Sequence, residues 1–153
     1  MDDTQFWDLI SKIDTRKLKQ AREEMAVLPL IKHLRHLEEH ELFAFEESLS
    51  EKLFALDGAK YADCAGESGG SGDGFLYARC YVVAMGQSFY KAVKDNPSLM
   101  PKRVEQWCEP LLYAHRRAWS ARTGNDELEW PFVPAVSYES FSNSKAWPHL
   151  KDG

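Results

Sequence analysis

Apolar residues recur along the chain at the three- and four-residue intervals of an α-helix, and no convincing run alternates apolar with polar residues as a half-buried strand would. Phe6, Leu9, Ile10 and Ile13 follow Asp2, Asp3 and Thr4, any of which can cap, so a first helix is expected over residues 3–13. Leu18, Ala21, Met25 and Leu28 continue the spacing through a strongly charged stretch. Pro29 then suits the first turn of a short helix bearing Leu30, Leu34 and Leu37. From Glu38 to Leu56 there is neither Gly nor Pro, and Leu42, Phe45, Leu49, Leu53 and Leu56 share one face. This predicts a long helix stopping near Gly58.

Residues 65–74, AGESGGSGDG, carry five glycines and two serines in ten positions, which predicts a loop that contributes nothing to a core. Residues 75–93 are apolar on most sides, as the central helix of a bundle would be, with Gly86 a place for a bend or a close crossing. After a turn at DNPSLMP, residues 102–123 place Val104, Trp107, Cys108, Leu111, Leu112, Ala118 and Trp119 on a second long face ending at Thr123–Gly124. Pro110 is expected to kink or break it. Beyond Gly124 neither period persists, and the chain is expected to run irregularly over the surface, pinned by Trp130, Phe132, Tyr138, Phe141 and Trp147. The predicted fold is all-α: a compact bundle of about five to seven helices over residues 1–124, with residues 125–153 packed on it as a tail.

A length of 153 residues suits one domain with a real core, and 44% apolar with 28% charged residues is the composition of a soluble globular protein. No segment approaches the roughly 18–20 apolar residues of a membrane span. The opening MDDTQFWDLI has acids where a secretory signal would carry cations, so a cytoplasmic location is expected. Cys64, Cys80 and Cys108 form an odd set without a Cys-x-x-Cys pair and read as free thiols. The net charge of −5 argues against a general grip on nucleic acid phosphates and favours a basic partner.

Residues 36–40, HLEEH, match the order of an inverted zinc-peptidase motif, in which His36 and His40 would bind metal one helical turn apart. That requires an unbroken helix. The stripe of Leu30, Leu34 and Leu37 would continue at 41 and 44, yet the next face begins at Leu42 and Phe45. A slip of about 100° per residue implies a helix boundary inside the motif, with the two imidazoles pointing apart. No metal or other cofactor is therefore expected, and a metal-dependent hydrolase at His36 and His40 stands as the alternative. The glycine-rich loop has no Gly-Lys-Ser/Thr, and Asp73 at its capping position would repel a phosphate.

Charge is segregated along the chain. Residues 38–51 hold Glu38, Glu39, Glu41, Glu46, Glu47 and Glu51 with no Lys or Arg, whereas residues 12–35 hold seven basic side chains against three acidic ones. The two stretches could complement each other when packed, or the glutamate ridge could dock a basic partner. Arg79 lies in an apolar helix and needs a carboxylate or several carbonyls around it. Asp73, Glu105, Glu109 or an acid of the first helix could serve, with recognition of a partner or anion by Arg79 as the alternative.

With MDDTQFWDLI, ELFAFEESLSEKL, SGDGFLYARCYVVAMGQSFY and EPLLYAHRRAWSARTG, residues 1–124 resemble a bacterial family of unknown function, DUF4240. The resemblance implies a small helical domain and no established reaction. The adjacent aspartates usual before the family's phenylalanine are reduced here to Gly72 and Asp73. By analogy with small acidic bacterial proteins, the expected function is that of an immunity-type module. It would neutralise a cognate toxin, or bind another basic protein, through the glutamate ridge with Asp73 and Arg79. A regulatory module binding protein or nucleic acid through Lys12, Arg16, Lys17, Lys19 and Arg22 is the further alternative.

Overall fold

The computed structural model describes residues 1–148, and all of its regular structure is helical. Eight α-helices follow in order: α1 Asp3–Ile10, α2 Thr15–Lys19, α3 Glu23–Leu34, α4 Glu39–Ala55, α5 Ala59–Ala62, α6 Gly72–Ala84, α7 Gln87–Asp95 and α8 Ala114–Thr123. Six of these have at least eight residues, and no strand occurs among the described residues. Helix α3 packs on α8 and α2, α4 packs on α6 and α8, and α1 bridges α3 and α4. Among the described residues no helix is long and apolar enough to cross a membrane.

The centre is the expected apolar face of α4, where Leu42, Phe45, Leu49 and Leu53 are fully buried. Glu38 caps this helix through a capping box with Glu41. Phe6 of α1 packs against Phe45 with ring centroids 5.4 Å apart, and Trp7 packs against Tyr90 of α7 at 5.3 Å. Burying such aliphatic and aromatic side chains stabilises the fold by about 1.5–3 kcal/mol each. Helix α1 starts where Asp2 accepts from the amide of Gln5, which returns the bond, but it ends at Ile10, short of the predicted residue 13.

Three other boundaries differ from expectation. Pro29 does not begin a helix; it is the seventh residue of α3, whose break comes earlier, at Ala21 with φ 61°. A proline there leaves the Met25 carbonyl without its helical donor. The flanking Met25 and Leu28 side chains are exposed, so water can reach that face. The glycine-rich stretch is not a loose loop: Gly66–Gly69 form a 3₁₀ turn, and the buried Ser68 hydroxyl donates to the carbonyl of Ala65 or of Pro101. Its glycines permit close packing, since a Cβ on Gly74 would lie 2.7 Å from the Ser68 carbonyl and 3.1 Å from the Trp107 ring. Ser71, not Asp73, caps α6. Residues 102–108 form no helix: Cys108 donates its amide to the Tyr77 carbonyl, and the chain re-enters helix at the 3₁₀ turn Glu109–Leu112 around Pro110. Helix α8 ends at left-handed Gly124, as expected.

The tail is more ordered than its composition suggests. From Trp130 to Ser140 every even-numbered residue is half-buried and every odd-numbered one exposed, the two-residue period of extended chain. Phe132 stacks on Phe43 at 5.1 Å, while Trp147 is buried against Phe75 at 5.8 Å. The tail predicted over residues 125–153 packs on the helices through Phe132 and Trp147; residues 149–153 lie outside the described residues.

The predicted helix over 75–93 divides at Gly86, whose φ of 105° and ψ of 172° belong to a region that only glycine occupies readily. Nothing lies within 4 Å of a Cβ built there, so the cost of a side chain would be purely conformational. Gly86→Ala is expected to lower stability by about 1–3 kcal/mol in denaturant unfolding, with an unchanged m-value. An unaffected midpoint would show that the α6–α7 break is not held in this conformation.

Candidate functional site

Glu46 lies on the apolar side of α4, in register with Leu42, Leu49 and Leu53, and is fully buried. One carboxylate oxygen takes His115 Nε2–H at 2.8 Å and Arg116 at 3.1 Å; the other takes the Trp130 indole N–H at 3.0 Å. Burial alone would raise the Glu46 carboxyl, but these donors more than offset it and hold the group below the usual carboxylate range. His115 is lowered as well: burial disfavours its charged form, and Glu46 only partly counters the effect. Burial thus favours the neutral imidazole, and the carboxylate against Nε2 favours the tautomer that carries its proton there. Among the described residues its Nδ1 has no hydrogen-bond partner, so a second proton would create an unpaired donor in the interior.

A second buried cluster surrounds Arg79. Its guanidinium donates to the Leu53 carbonyl and the Ser140 hydroxyl, both at 2.9 Å, and lies 4.7 Å over the Phe75 ring. The strongest opposing charge is that of Asp57, itself fully buried. Asp57 accepts the amides of Phe141 and Asn143 at 3.0 and 2.9 Å and the Trp147 indole N–H at 3.0 Å. None of the candidates Asp73, Glu105 or Glu109 is what bonds Arg79; one carbonyl and one hydroxyl oxygen accept from it, and Asp57 is the leading opposing charge.

Glu46 and Arg79, expected at a docking surface, are therefore interior groups that no partner can reach. Three of the other glutamates are held within the chain: Glu38 pairs with Arg122 at 3.3 Å, Glu39 accepts the Trp119 indole at 3.1 Å, and Glu47 accepts the Ala135 amide at 3.1 Å. Glu51 and Asp73 are exposed. Asp57, His115 and Ser140 were not anticipated. His115 could have been, since it falls four residues after Leu111 and three before Ala118 on the face predicted to be buried.

A helix boundary does interrupt HLEEH, but at residues 35–38, between Leu34 and Glu39, about three residues before Glu38–Glu41 where the register slip placed it. His40 lines an open groove between α1 and α4; His36 lines a different cavity, with Lys32, Arg35 and Arg122. Among the described residues no three His, Cys, Asp or Glu side chains converge on a point that could hold a metal. The α1–α4 groove has a volume of about 410 Å³, within the range of ligand clefts. Leu9, Leu37 and Ala44 make it apolar, while Asp8, Glu41, His40 and Gln5 bring polar groups to its walls. The exposed Asp8 carboxylate and the half-buried Glu41, one of whose oxygens caps α4, stand over an apolar lining that suits a cationic side chain with an aliphatic stem.

Residues 1–122 match the family described as protein of unknown function (DUF4240). The chain belongs to that family. No curated protein and no solved structure matches it. The DUF4240 match ends one residue short of the end of α8. The strap that supplies Trp130 to Glu46 and Ser140 to Arg79 thus lies beyond the DUF4240 segment.

The Glu46–His115 pair gives stability a predictable pH dependence. His115 is lowered in the folded chain, so the unfolded chain takes up its proton first as pH falls below the ordinary 6.5. Glu46 is likewise lowered, so its stabilisation is lost as pH falls further, below the ordinary 4.5. Thermal unfolding from about pH 8 to about pH 4 should show a melting temperature that declines in both windows. His115→Gln should remove the decline in the upper window. A wild-type curve flat between about pH 7 and pH 5 would contradict the assignment.

Proposed function

We propose that the protein is a non-enzymatic binding module of the immunity type, one that neutralises a cognate antibacterial toxin by covering its basic active surface. The observation supporting this reading is the groove between α1 and α4, which combines apolar Leu9, Leu37 and Ala44 with the carboxylates of Asp8 and Glu41. The exposed Asp2 precedes α1, whose Asp8 lines the groove, and adds acidic charge at this end of the molecule. A lysine or arginine of the toxin would enter head first, its stem against the leucines and its charge at the carboxylates. The net charge of −5 would steer a basic protein towards this chain and speed encounter at low salt.

The mechanism needs no bond chemistry. A folded body seated over a basic active surface excludes substrate by volume and by competing charge. The docking face differs from the glutamate ridge taken as a whole, because Glu46 is buried and Glu47 holds the tail.

The test is co-expression with the toxin encoded beside it, followed by binding kinetics of the purified pair. Asp8→Lys reverses an exposed charge that caps no helix and is expected to weaken affinity at least about tenfold, mainly through the on-rate and more at low salt. Equal protection and equal affinity for the wild type and Asp8→Lys would exclude the groove. A toxin that kills equally with and without the protein would exclude the function.

A further inference from the structure

One side of α3 leaves apolar side chains in water. Met25 is 44% and Leu28 54% exposed, and with Pro29 they line an open cavity of about 390 Å³ whose other walls are Lys17, Lys32 and Asp14. Lys32 also belongs to the next cavity, about 360 Å³, lined by Lys32, Arg35, His36 and Arg122 with no acid among them. Arg122 is paired with Glu38, but Lys17, Lys32 and Arg35 make no ion pair among the described residues. On a chain of net charge −5 this is a local excess of positive charge beside bare apolar surface. The chemistry that fits it is an acidic segment carrying large apolar side chains.

The chain carries such a segment itself. Between Gly124 and Pro134 stand Asp126, Glu127 and Glu129, with Leu128 92% and Val133 84% exposed, the two most exposed large hydrophobic side chains among the described residues. Leu128 is not on a loose loop: Glu127–Glu129 form a 3₁₀ turn capped by the Asp126 carboxylate on the Leu128 amide at 2.8 Å. That turn packs against α8, and α8 packs against α3. Arg122, in the last turn of α8, lines the basic cavity four residues before Asp126. The acidic turn and the basic face therefore adjoin, while the exposure of Leu128 shows that the turn does not fill its own chain's cavity.

We propose that the protein self-associates as a two-fold dimer, the acidic turn 126–129 of each copy seated on the Met25–Leu28–Lys32–Arg35 face of the other. Because the two complementary patches adjoin, a single rotation satisfies both contacts and closes the assembly without leaving a free end. Leu128 enters the cavity beside Met25 and Leu28, and Glu127 and Glu129 meet Lys32 and Arg35. This dimer uses a face distinct from the α1–α4 groove and stands or falls without it.

Sedimentation equilibrium of the full chain tests it, at low and high salt and up to millimolar concentration. Twice the monomer mass is expected at low salt, shifting to the monomer as salt rises. Arg35→Glu and Glu129→Arg are each expected to weaken association at least about tenfold, because each places like charges opposite each other twice. An equimolar mixture of these two variants should recover it, since each heterologous contact again pairs opposite charges. Leu128→Ser should weaken association yet leave the melting temperature of the dilute monomer at high salt unchanged, because this side chain is almost wholly in water within one copy. A monomer under all conditions, or a dimer indifferent to all three substitutions, would overturn the proposal.

Discussion

A charge placed inside a helical bundle must find its partners there, and three such charges govern how this chain folds. Glu46, Asp57 and Arg79 are each fully buried, and the helices alone do not satisfy them. Removing an ionised group from water costs several kcal/mol unless hydrogen bonds replace the hydration. The segment after α8 provides many of them: Trp130 to Glu46, Ser140 to Arg79, and Phe141, Asn143 and Trp147 to Asp57. The tail is therefore the completion of the bundle's interior. Its apolar side chains Phe132 and Trp147 keep water from the same seam, which strengthens each bond beneath them.

The same demand decides which charges remain outside. Six glutamates in fourteen residues suggest a ridge facing solvent, yet Glu46 is turned inward and Glu47 fastens Ala135. Glu38 and Glu39 are drawn to Arg122 and Trp119 of α8, so the acidic stretch finds partners across the α4–α8 contact and not in the basic stretch 12–35. Exposed pairs of this kind stabilise by at most about 1 kcal/mol. Their effect is on the surface pattern. Among the described residues Arg122 is the only cation of its cavity in an ion pair, leaving Lys32 and Arg35 to set the charge at the C-terminal end of α3.

The parts of this architecture visible in the sequence were those set by a single periodicity. The leucine and phenylalanine spacing of α4 located the core, and the slip of register between Leu37 and Leu42 signalled a helix boundary inside HLEEH, about three residues late. Where two signals competed, tertiary contact decided. Pro29 looked like a helix start but sits in the middle of α3, because exposure of that face makes a missing hydrogen bond tolerable. Residues 102–108 have helical spacing, yet the amide of Cys108 bonds across to Tyr77. Glu46 and His115 both occupied apolar registers and were legible as buried, had register been given precedence over charge. Asp57 carried no such signal, because its partners lie more than eighty residues away. The alternation in 130–140 was hidden by prolines and serines: its inward set, Trp130, Phe132, Pro134, Val136, Tyr138 and Ser140, mixes apolar with polar residues and forms no ladder.

The stretch HLEEH ends up with a role that depends on the break in it. Continuous helix would have set His36 and His40 one turn apart on one face, and with them a mixed, weakly charged surface. The turn at residues 35–38 instead sends Arg35 and His36 to the cationic side, beside Lys32 and Arg122, and Leu37 to the lining of the acidic groove with His40 and Glu41. A surface of mixed sign would attract both kinds of partner weakly, since like and unlike charges within a Debye length of about 8–10 Å cancel. Separating them across one turn yields two faces of opposite charge on a chain of 153 residues. The helix break that draws the two histidines apart is therefore also what divides the surface into an acidic face and a basic one.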